Sequence, residues 1–161
     1  GQGILRSSLL GKFNLSNLLA VLAELCLQGS DLHDALEALV EAFPAPGRMQ
    51  RFKNTNSAQV IVDYAHTPDA LENALKAARY HCQGRLWCIF GCGGDRDKNK
   101  RGKMIIEENR EAAIKYAIEQ AFGEDTLLIA GKGHEDYQII GDKTFRFSDA
   151  ECVSTFLKER I

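Results

Sequence analysis

Residues 60–90 constrain the fold more than any other stretch. Val60-Ile61-Val62 is the continuous apolar run that a strand buried on both faces requires, and Leu86-Trp87-Cys88-Ile89-Phe90, entered from Arg85, is a second run of strand length. Between them Thr67 can cap a helix, with Pro68 at its first position and Asp69 in its first turn, all favourable at that end. Leu71, Leu75, Ala78 and Cys82 form the predicted buried face, and Gln83-Gly84 stops the helix. Strand, helix, strand in that order calls for a right-handed crossover between parallel strands. The predicted fold is therefore α/β, a Rossmann-like, mostly parallel sheet with flanking helices.

The rest of the chain extends this unit. Met49 to Lys53 and Gln59 to Asp63 read as strands around the polar turn Asn54-Thr55-Asn56-Ser57. Ile114, Ala117, Ile118, Ala121 and Phe122 form a helical stripe ended by Gly123, and Thr126 to Ala130 is another buried strand. Tyr137 to Ile140 and Lys143 to Phe147 flank Gly141-Asp142 as a C-terminal β-hairpin. Ser148-Asp149-Ala150-Glu151 has capping-box spacing and opens a last helix through Val153, Phe156 and Leu157.

Upstream, Ile4 to Leu10 is an extended entry, and Gly11-Lys12-Phe13-Asn14 introduces a helix with Leu15, Leu18, Leu19, Leu22 and Cys26 on one stripe. Ser30 or Asp31 can cap a second helix carrying Leu32, Ala35, Leu36, Leu39, Val40 and Phe43. Pro44-Ala45-Pro46-Gly47 is the strongest punctuation in the chain. It separates residues 1–46, expected to be the helical end of one domain, from residues 47–161, a second domain.

At 161 residues and 45% hydrophobic, the chain can bury one sizeable core with part of a second domain attached. A net charge of −2 and a pI near 6.1 give no global basic field for nucleic acid or anionic lipid. There is no apolar run of membrane-spanning length and no signal peptide. Five cysteines without a Cys-x-x-Cys argue against a disulfide framework and a structural zinc site, so a reducing cytoplasm is expected. The first residue is Gly1 rather than Met, and a fragment, a processed product or a tagged chain is expected.

Three loops follow buried strands: Asp63-Tyr64-Ala65-His66, Gly91 to Lys103, and Gly131-Lys132-Gly133-His134-Glu135-Asp136. In a parallel sheet they emerge at one edge, where open α/β sheets bind ligands. The middle loop, with Asp95, Arg96, Asp97, Lys98, Lys100, Arg101 and Lys103, has a basic excess suited to an anion. Asp63 either accepts bonds from sugar hydroxyls or turns the chain at its strand end, and Tyr64 or His66 offers an aromatic face or polar tip. Arg96 can grip a carboxylate with its fork, and Glu135 can receive an ammonium group. Facing each other they suit an amino acid zwitterion; separately they read as surface ion pairs. Gly91-x-Gly93-Gly94 is not a dinucleotide fingerprint, because Arg96 stands where the third glycine belongs, and no P-loop pattern occurs.

Gly11-x-Phe13-Asn14-x-x-Asn17, Pro46-Gly47-Arg48, Asp63-Tyr64-Ala65-His66-Thr67-Pro68, Gly91-Cys92-Gly93-Gly94-Asp95-Arg96-Asp97-Lys98 and Gly131-Lys132-Gly133-His134-Glu135-Asp136-Tyr137-Gln138 occur in this order. Over the whole chain this set resembles the C-terminal part of the Mur ligase family, in particular its UDP-N-acetylmuramoyl-dipeptide ligases of peptidoglycan synthesis. The resemblance implies a C-terminal fragment of an ATP-dependent acid–amino acid ligase. Such a ligase joins meso-diaminopimelate to UDP-MurNAc-L-Ala-D-Glu through an acyl phosphate, in the cytoplasm. It further implies that Asn14, Asn17, Arg48, Asp63 and His66 serve the nucleotide and that Arg96, Gly131 and Glu135 hold diaminopimelate. Residues 1–46 then correspond to the end of the family's central ATP-binding domain and residues 47–161 to its C-terminal domain.

ATP and Mg2+ are expected as cofactors held mainly by that central domain, whose P-loop and carbamylated lysine are absent from the chain. No catalytic residue and no metal ligand is assigned, and the chain alone is expected to be inactive. The His134-Glu135-Asp136-Tyr137-Gln138 form resembles the diaminopimelate enzymes rather than lysine-adding ones. Lysine lacks one carboxylate, and leaving a buried arginine unpaired costs about 2–5 kcal/mol. The family's Asp-Asn-Pro-Arg segment is missing, which places an expected gap between Met104 and Ile105. Two other readings share parts of this pattern, a free-standing amino acid or nucleotide-binding module and a nicotinamide-dependent oxidoreductase.

Overall fold

A computed structural model describes residues 2–53, 57–91 and 105–159. The chain divides into two compact units, Gly1–Ala45 and Pro46–Ile161, at the proline-rich break. The first holds α1 (Lys12–Leu27) and α2 (Leu32–Val40). Gly11, at φ 91°, turns the chain into α1 without a side-chain cap, whereas the Asp31 carboxylate caps α2 by accepting from the His33 N–H at 2.8 Å. Leu10, Leu18, Ala35 and Leu39 are buried. The predicted stripe on α1 is only partly used: Leu18 is buried while Leu15, Leu19 and Cys26 are exposed. Within a two-helix unit a helix has one neighbour, and one neighbour covers only a narrow strip.

The second unit runs β1 (Gln50–Phe52), β2 (Gln59–Asp63), α3 (Pro68–His81), β3 (Leu86–Phe90), α4 (Arg110–Gln120), β4 (Thr126–Ala130), β5 (Tyr137–Ile140), β6 (Lys143–Arg146) and α5 (Asp149–Glu159). Four strands form one sheet in the order β1-β2-β4-β3, with β2, β4 and β3 parallel and β1 antiparallel at the margin. β5 and β6 form a separate hairpin turned by Gly141 at φ 60°. Val60, Val62, Leu127 and Ile129 face Ile114, Ile118, Val153 and Leu157 of α4 and α5 in the main core. The alternate residues Ile61 and Leu128, also fully buried, point to the other face, the side on which α3 packs.

Two predicted faces need correction. On α3 the buried residues are Ala74, Ala77 and Ala78, while Leu71 and Leu75 are half-buried, because alanines let the helix axis approach the sheet closely. β3, predicted as a fully buried strand, is half-buried along Leu86–Ile89, and Phe90 is 52% exposed. Among the described residues β3 pairs only with β4, so it is an edge strand.

Caps and ends follow the sequence with one exception. Thr67 Oγ1 accepts from the Ala70 N–H at 3.3 Å, with Pro68 opening α3. Ser148 Oγ accepts from the Glu151 N–H at 3.4 Å, the first half of the expected capping box. The Glu151 carboxylate, however, lies 2.7 Å from the Arg146 guanidinium of β6, a charged donor that outcompetes a backbone N–H.

At the amino ends of the strands, Asp125 organises the turn into β4. Its carboxylate accepts from the Arg85 N–H at 2.7 Å, the Arg85 guanidinium at 2.9 Å, the Trp87 indole N–H at 3.3 Å and the Phe122 N–H at 3.4 Å. Burial acts to raise its pKa, but these hydrogen bonds outweigh burial and hold it below the usual carboxylate value.

Candidate functional site at the carboxyl ends of the strands

The sheet register aligns Asp63, Ala130 and Phe90 across β2, β4 and β3, so the strand ends from which the three predicted loops start lie at one level on one edge. Asp63 is 7% exposed and both of its oxygens are engaged, Oδ2 by the Met49 N–H and Oδ1 by the Ala65 N–H, each at 2.8 Å. Its peptide oxygen accepts from the Gly131 N–H at 3.1 Å, which ties the first loop to the third. These two bonds turn the chain at the strand end.

The partner of that carboxylate is a residue sequence reading passed over. Met49 is 1% exposed and has φ 46°, a left-handed conformation rare for a side-chain-bearing residue. Held there, it leaves the preceding Arg48 with its guanidinium carbon 4.6 Å from the Tyr64 ring centre. Gly47 and Gly133 pack backbone to backbone: a Cβ on Gly47 would lie 2.1 Å from the Gly133 carbonyl carbon, and one on Gly133 would lie 2.7 Å from Tyr64 Cβ. Only glycine satisfies both contacts.

Tyr64 is the hub. Its hydroxyl donates to Glu135 at 3.4 Å, and its ring lies 4.8 Å from that of His66 and 5.3 Å from that of His134. With Arg48 across its face as well, Tyr64 packs protein groups, leaving the exposed His66 and Arg48 as the polar tips. His66 Nδ1 lies 3.0 Å from the Tyr64 carbonyl oxygen. Glu135 also takes an ion pair from Lys132 Nζ at 3.3 Å, and that ammonium lies 5.4 Å from the Tyr137 ring centre. Lys132 was not among the predicted site residues. Its spacing of three from Glu135, across a turn closed by a bond from the Glu135 N–H to the Lys132 oxygen at 2.9 Å, was the available signal.

The other predicted residues fall as follows. Gly131, at φ 116°, opens the third loop directly after β4. Arg96 lies outside the described residues, as does Met104 at the expected gap. Asn14 and Asn17 are on α1 of the first unit, where Asn14 Nδ2 donates to the Leu10 oxygen at 2.7 Å and Asn17 Nδ2 to Asn14 Oδ1 at 3.3 Å. Among the described residues no group of three or more His, Cys, Asp or Glu side chains could hold a metal ion. No helix among them is long and apolar enough to cross a membrane.

Cysteine chemistry is also quiet. Burial pushes the Cys88 thiol up to about 11, against a smaller opposing pull from Arg110. Burial, aided by Glu111, Asp149 and Glu151, raises that of Cys152 to about 11.

A mostly parallel sheet with helices on both faces and polar and charged side chains at the carboxyl ends of its strands defines the class, a Rossmann-like α/β domain. Residues 47–105 match the family described as "Mur ligase, glutamate ligase domain". The chain belongs to the Mur ligase family. Over 98% of its length it is 40% identical to the UDP-N-acetylmuramoyl-L-alanyl-D-glutamate--2,6-diaminopimelate ligase of Vibrio vulnificus (strain YJ016) and 44% identical to that of Haemophilus influenzae (strain PittEE). It spans 40% and 41% of those two proteins. A solved structure of a ligase of the same name superposes on 99% of the chain with a TM-score of 0.70 and 33% identity, covering 41% of that protein. A pseudomurein peptide ligase type C from Methanothermus fervidus, at 22% identity and TM-score 0.55 over 83% of the chain, shares the fold.

Proposed function

We propose that this chain serves as the amine-donor-binding part of an ATP-dependent ligase that adds meso-diaminopimelate to UDP-MurNAc-L-Ala-D-Glu in peptidoglycan synthesis. The observation that carries this reading is Glu135, a half-buried carboxylate at the ligand edge, aimed by the Tyr64 hydroxyl and already satisfied by an ammonium, that of Lys132. A site built for one ammonium suits the amino group of an incoming amino acid. The relatives named for the diaminopimelate reaction support the choice of donor.

The reaction divides the labour. ATP supplies the phosphoryl group that turns the D-glutamate carboxylate into an acyl phosphate. The free amine of diaminopimelate then attacks that carbonyl, so a C–N bond forms, the C–O bond to phosphate breaks, phosphate leaves with the electron pair, and the proton lost by the amine passes to the departing phosphate or to solvent. Glu135 and Arg96 hold the distal amino acid end of diaminopimelate, and Gly131 lets the loop backbone approach it. Arg48 and His66 lie towards the nucleotide, with Asn14 and Asn17 contributing from α1, while Asp63 shapes the turn that presents Arg48. Positioning of this kind raises the effective concentration of the amine at the acyl phosphate.

The match to the Vibrio vulnificus relative extends over 197 residues while taking in 98% of the chain's 161, and we infer that the segment of the relative without a counterpart here falls at Met104–Ile105. The reading is tested by amide NMR titration of the chain. Meso-diaminopimelate is expected to shift the Gly131 and Glu135 amides at concentrations where lysine does not, and Glu135→Gln to abolish the shift. Equal response to lysine, or none at Gly131–Glu135, overturns the assignment.

A further inference from the structure

Glu135 is not a bare carboxylate. Lys132 Nζ lies 3.3 Å from its Oε2, and the two side chains are 16% and 30% exposed, so the cation is the more deeply held of the pair. One turn carries both. The Glu135 N–H donates to the Lys132 carbonyl at 2.9 Å, and Gly131 and Gly133, at φ 116° and 56°, bend the chain on either side of Lys132. The root of the loop is fixed by Arg110 of α4, whose Nη2 donates to the Ala130 carbonyl at 3.0 Å. Nε and Nη2 of that guanidinium also donate, each at 2.7 Å, to the two oxygens of the fully buried Asp149. The Lys132 ammonium stands 5.4 Å from the Tyr137 ring centre. Among the described residues its one hydrogen bond is to Glu135, so its remaining N–H groups have no acceptor there.

We infer that Lys132 is a specificity-determining residue, which converts Glu135 from a site for any ammonium into a site for an ammonium with a carboxylate beside it. The inference rests on the proposed amine-donor reading and supplies the basis of its selectivity. A lone ammonium approaching Glu135 meets the attraction of one charge and the repulsion of another only 3.3 Å from it, so little is gained. An amino acid end brings both signs. Laid antiparallel against the pair, its ammonium meets Glu135, its carboxylate meets the remaining N–H groups of Lys132, and every neighbouring contact is attractive. Burial of the cation limits screening by water and salt, which sharpens the difference. Repulsion of this kind penalises the wrong ligand rather than merely failing to reward it. As a device for stability alone, a partly exposed ion pair within one turn would contribute little.

Cadaverine, which is diaminopimelate without its carboxylates, presents the lone ammonium. The Gly131 and Glu135 amides of the chain are followed by NMR during titration with meso-diaminopimelate and with cadaverine. The titrations are made on the wild type, on Lys132→Met, which keeps the apolar stem, and on Lys132→Arg, which keeps the charge. In Lys132→Met the half-saturating concentration of diaminopimelate is expected to rise by about tenfold or more while that of cadaverine stays level or falls. Lys132→Arg is expected to keep the preference for diaminopimelate to within about threefold of the wild type. Weakening of both ligands by the same factor in Lys132→Met would show that Lys132 only aims Glu135, and it overturns the inference, as does an unchanged preference. Either result with a wild-type response at Glu135 leaves the amine-donor reading standing. A wild-type chain whose Glu135 amide responds to neither ligand overturns that reading and this inference together.

Discussion

At the scale of single residues, two buried carboxylates do most of the shaping, one at each end of the strands. Asp63 holds Met49 in a left-handed backbone that by itself costs on the order of 1–3 kcal/mol. Asparagine has one accepting oxygen, so Asp63→Asn sets an amide N–H2 against a backbone N–H and is expected to destabilise by about 1–3 kcal/mol in urea unfolding. An unchanged midpoint would mean that Asp63 contributes only through ligand. Asp125 gives a pH signature. Its folded pKa is depressed, so its contribution is complete above the unfolded value near 4 and is lost as pH falls through the lower folded value. The stability gap between the wild type and Asp125→Asn should therefore be constant from pH 7 to about 5 and close below about 4. A gap that stays constant down to about pH 2 contradicts this account.

The cysteines give a third residue-scale test. A thiol pushed up to about 11 carries roughly one-hundredth of the usual thiolate. Iodoacetamide at pH 8 is expected to modify the exposed Cys26 long before Cys88 or Cys152. Fast labelling of Cys88 would show that β3 opens. These partnerships were only half legible in the sequence. Asp63 and Glu135 stood out because each follows an apolar run, whereas Met49 reads only as the first residue of a strand and nothing in the pattern singles out Arg110. Their partners, 14 and 39 positions away, come together only in the folded sheet.

At the scale of elements, chain order was readable and packing faces were readable in part, fully for Ile114, Ala117 and Ile118 of α4 and less well for α1 and α3. β2 and β4 fall where apolar runs place them, because a strand buried on both faces must be apolar throughout. The buried side of α3 was read only in part: Ala78 and Cys82 are buried as expected, but Ala74 and Ala77 take the place of Leu71 and Leu75, because close approach to the sheet favours the smaller residue. The loops depend on a contact that no periodicity announces, Gly47 against Gly133. Gly133→Ala must adopt φ +56° and bring its Cβ within 2.8 Å of the Gly47 oxygen. It is expected to destabilise by about 2 kcal/mol or more and to weaken the Arg48–Tyr64 stacking. Differential scanning calorimetry and the Tyr64 ring resonances report the two effects separately, and normal values for both would show that the loops yield without cost.

At the scale of the whole molecule, the two units differ sharply in what they bury. Pro46–Ile161 contains a sheet covered on one face by α4 and α5 and approached on the other by α3, with Ile61, Leu127, Leu128 and Ile129 all sealed from solvent. Gly1–Ala45 has helices of 16 and 9 residues and buries four apolar side chains, while Phe13, Leu15, Leu19, Val21, Leu27 and Phe43 stay exposed. Helices shorter than about 12–15 residues are marginal in water without tertiary packing, and four buried residues supply little of it. Residues 46–161 produced alone are therefore expected to unfold in urea in one cooperative transition, with a midpoint close to that of the whole chain. Residues 1–45 alone are expected to show weak helical circular dichroism that grows without a sharp transition on cooling. The proposed division of function then has a physical basis. The amine-donor edge sits on a unit able to hold its own geometry, whereas the asparagines of α1 depend on surroundings that two helices cannot provide. A midpoint for residues 46–161 several molar units of urea below that of the chain would show that the second unit borrows its stability. The loop geometry held by Asp63 would then be a property of the full chain alone.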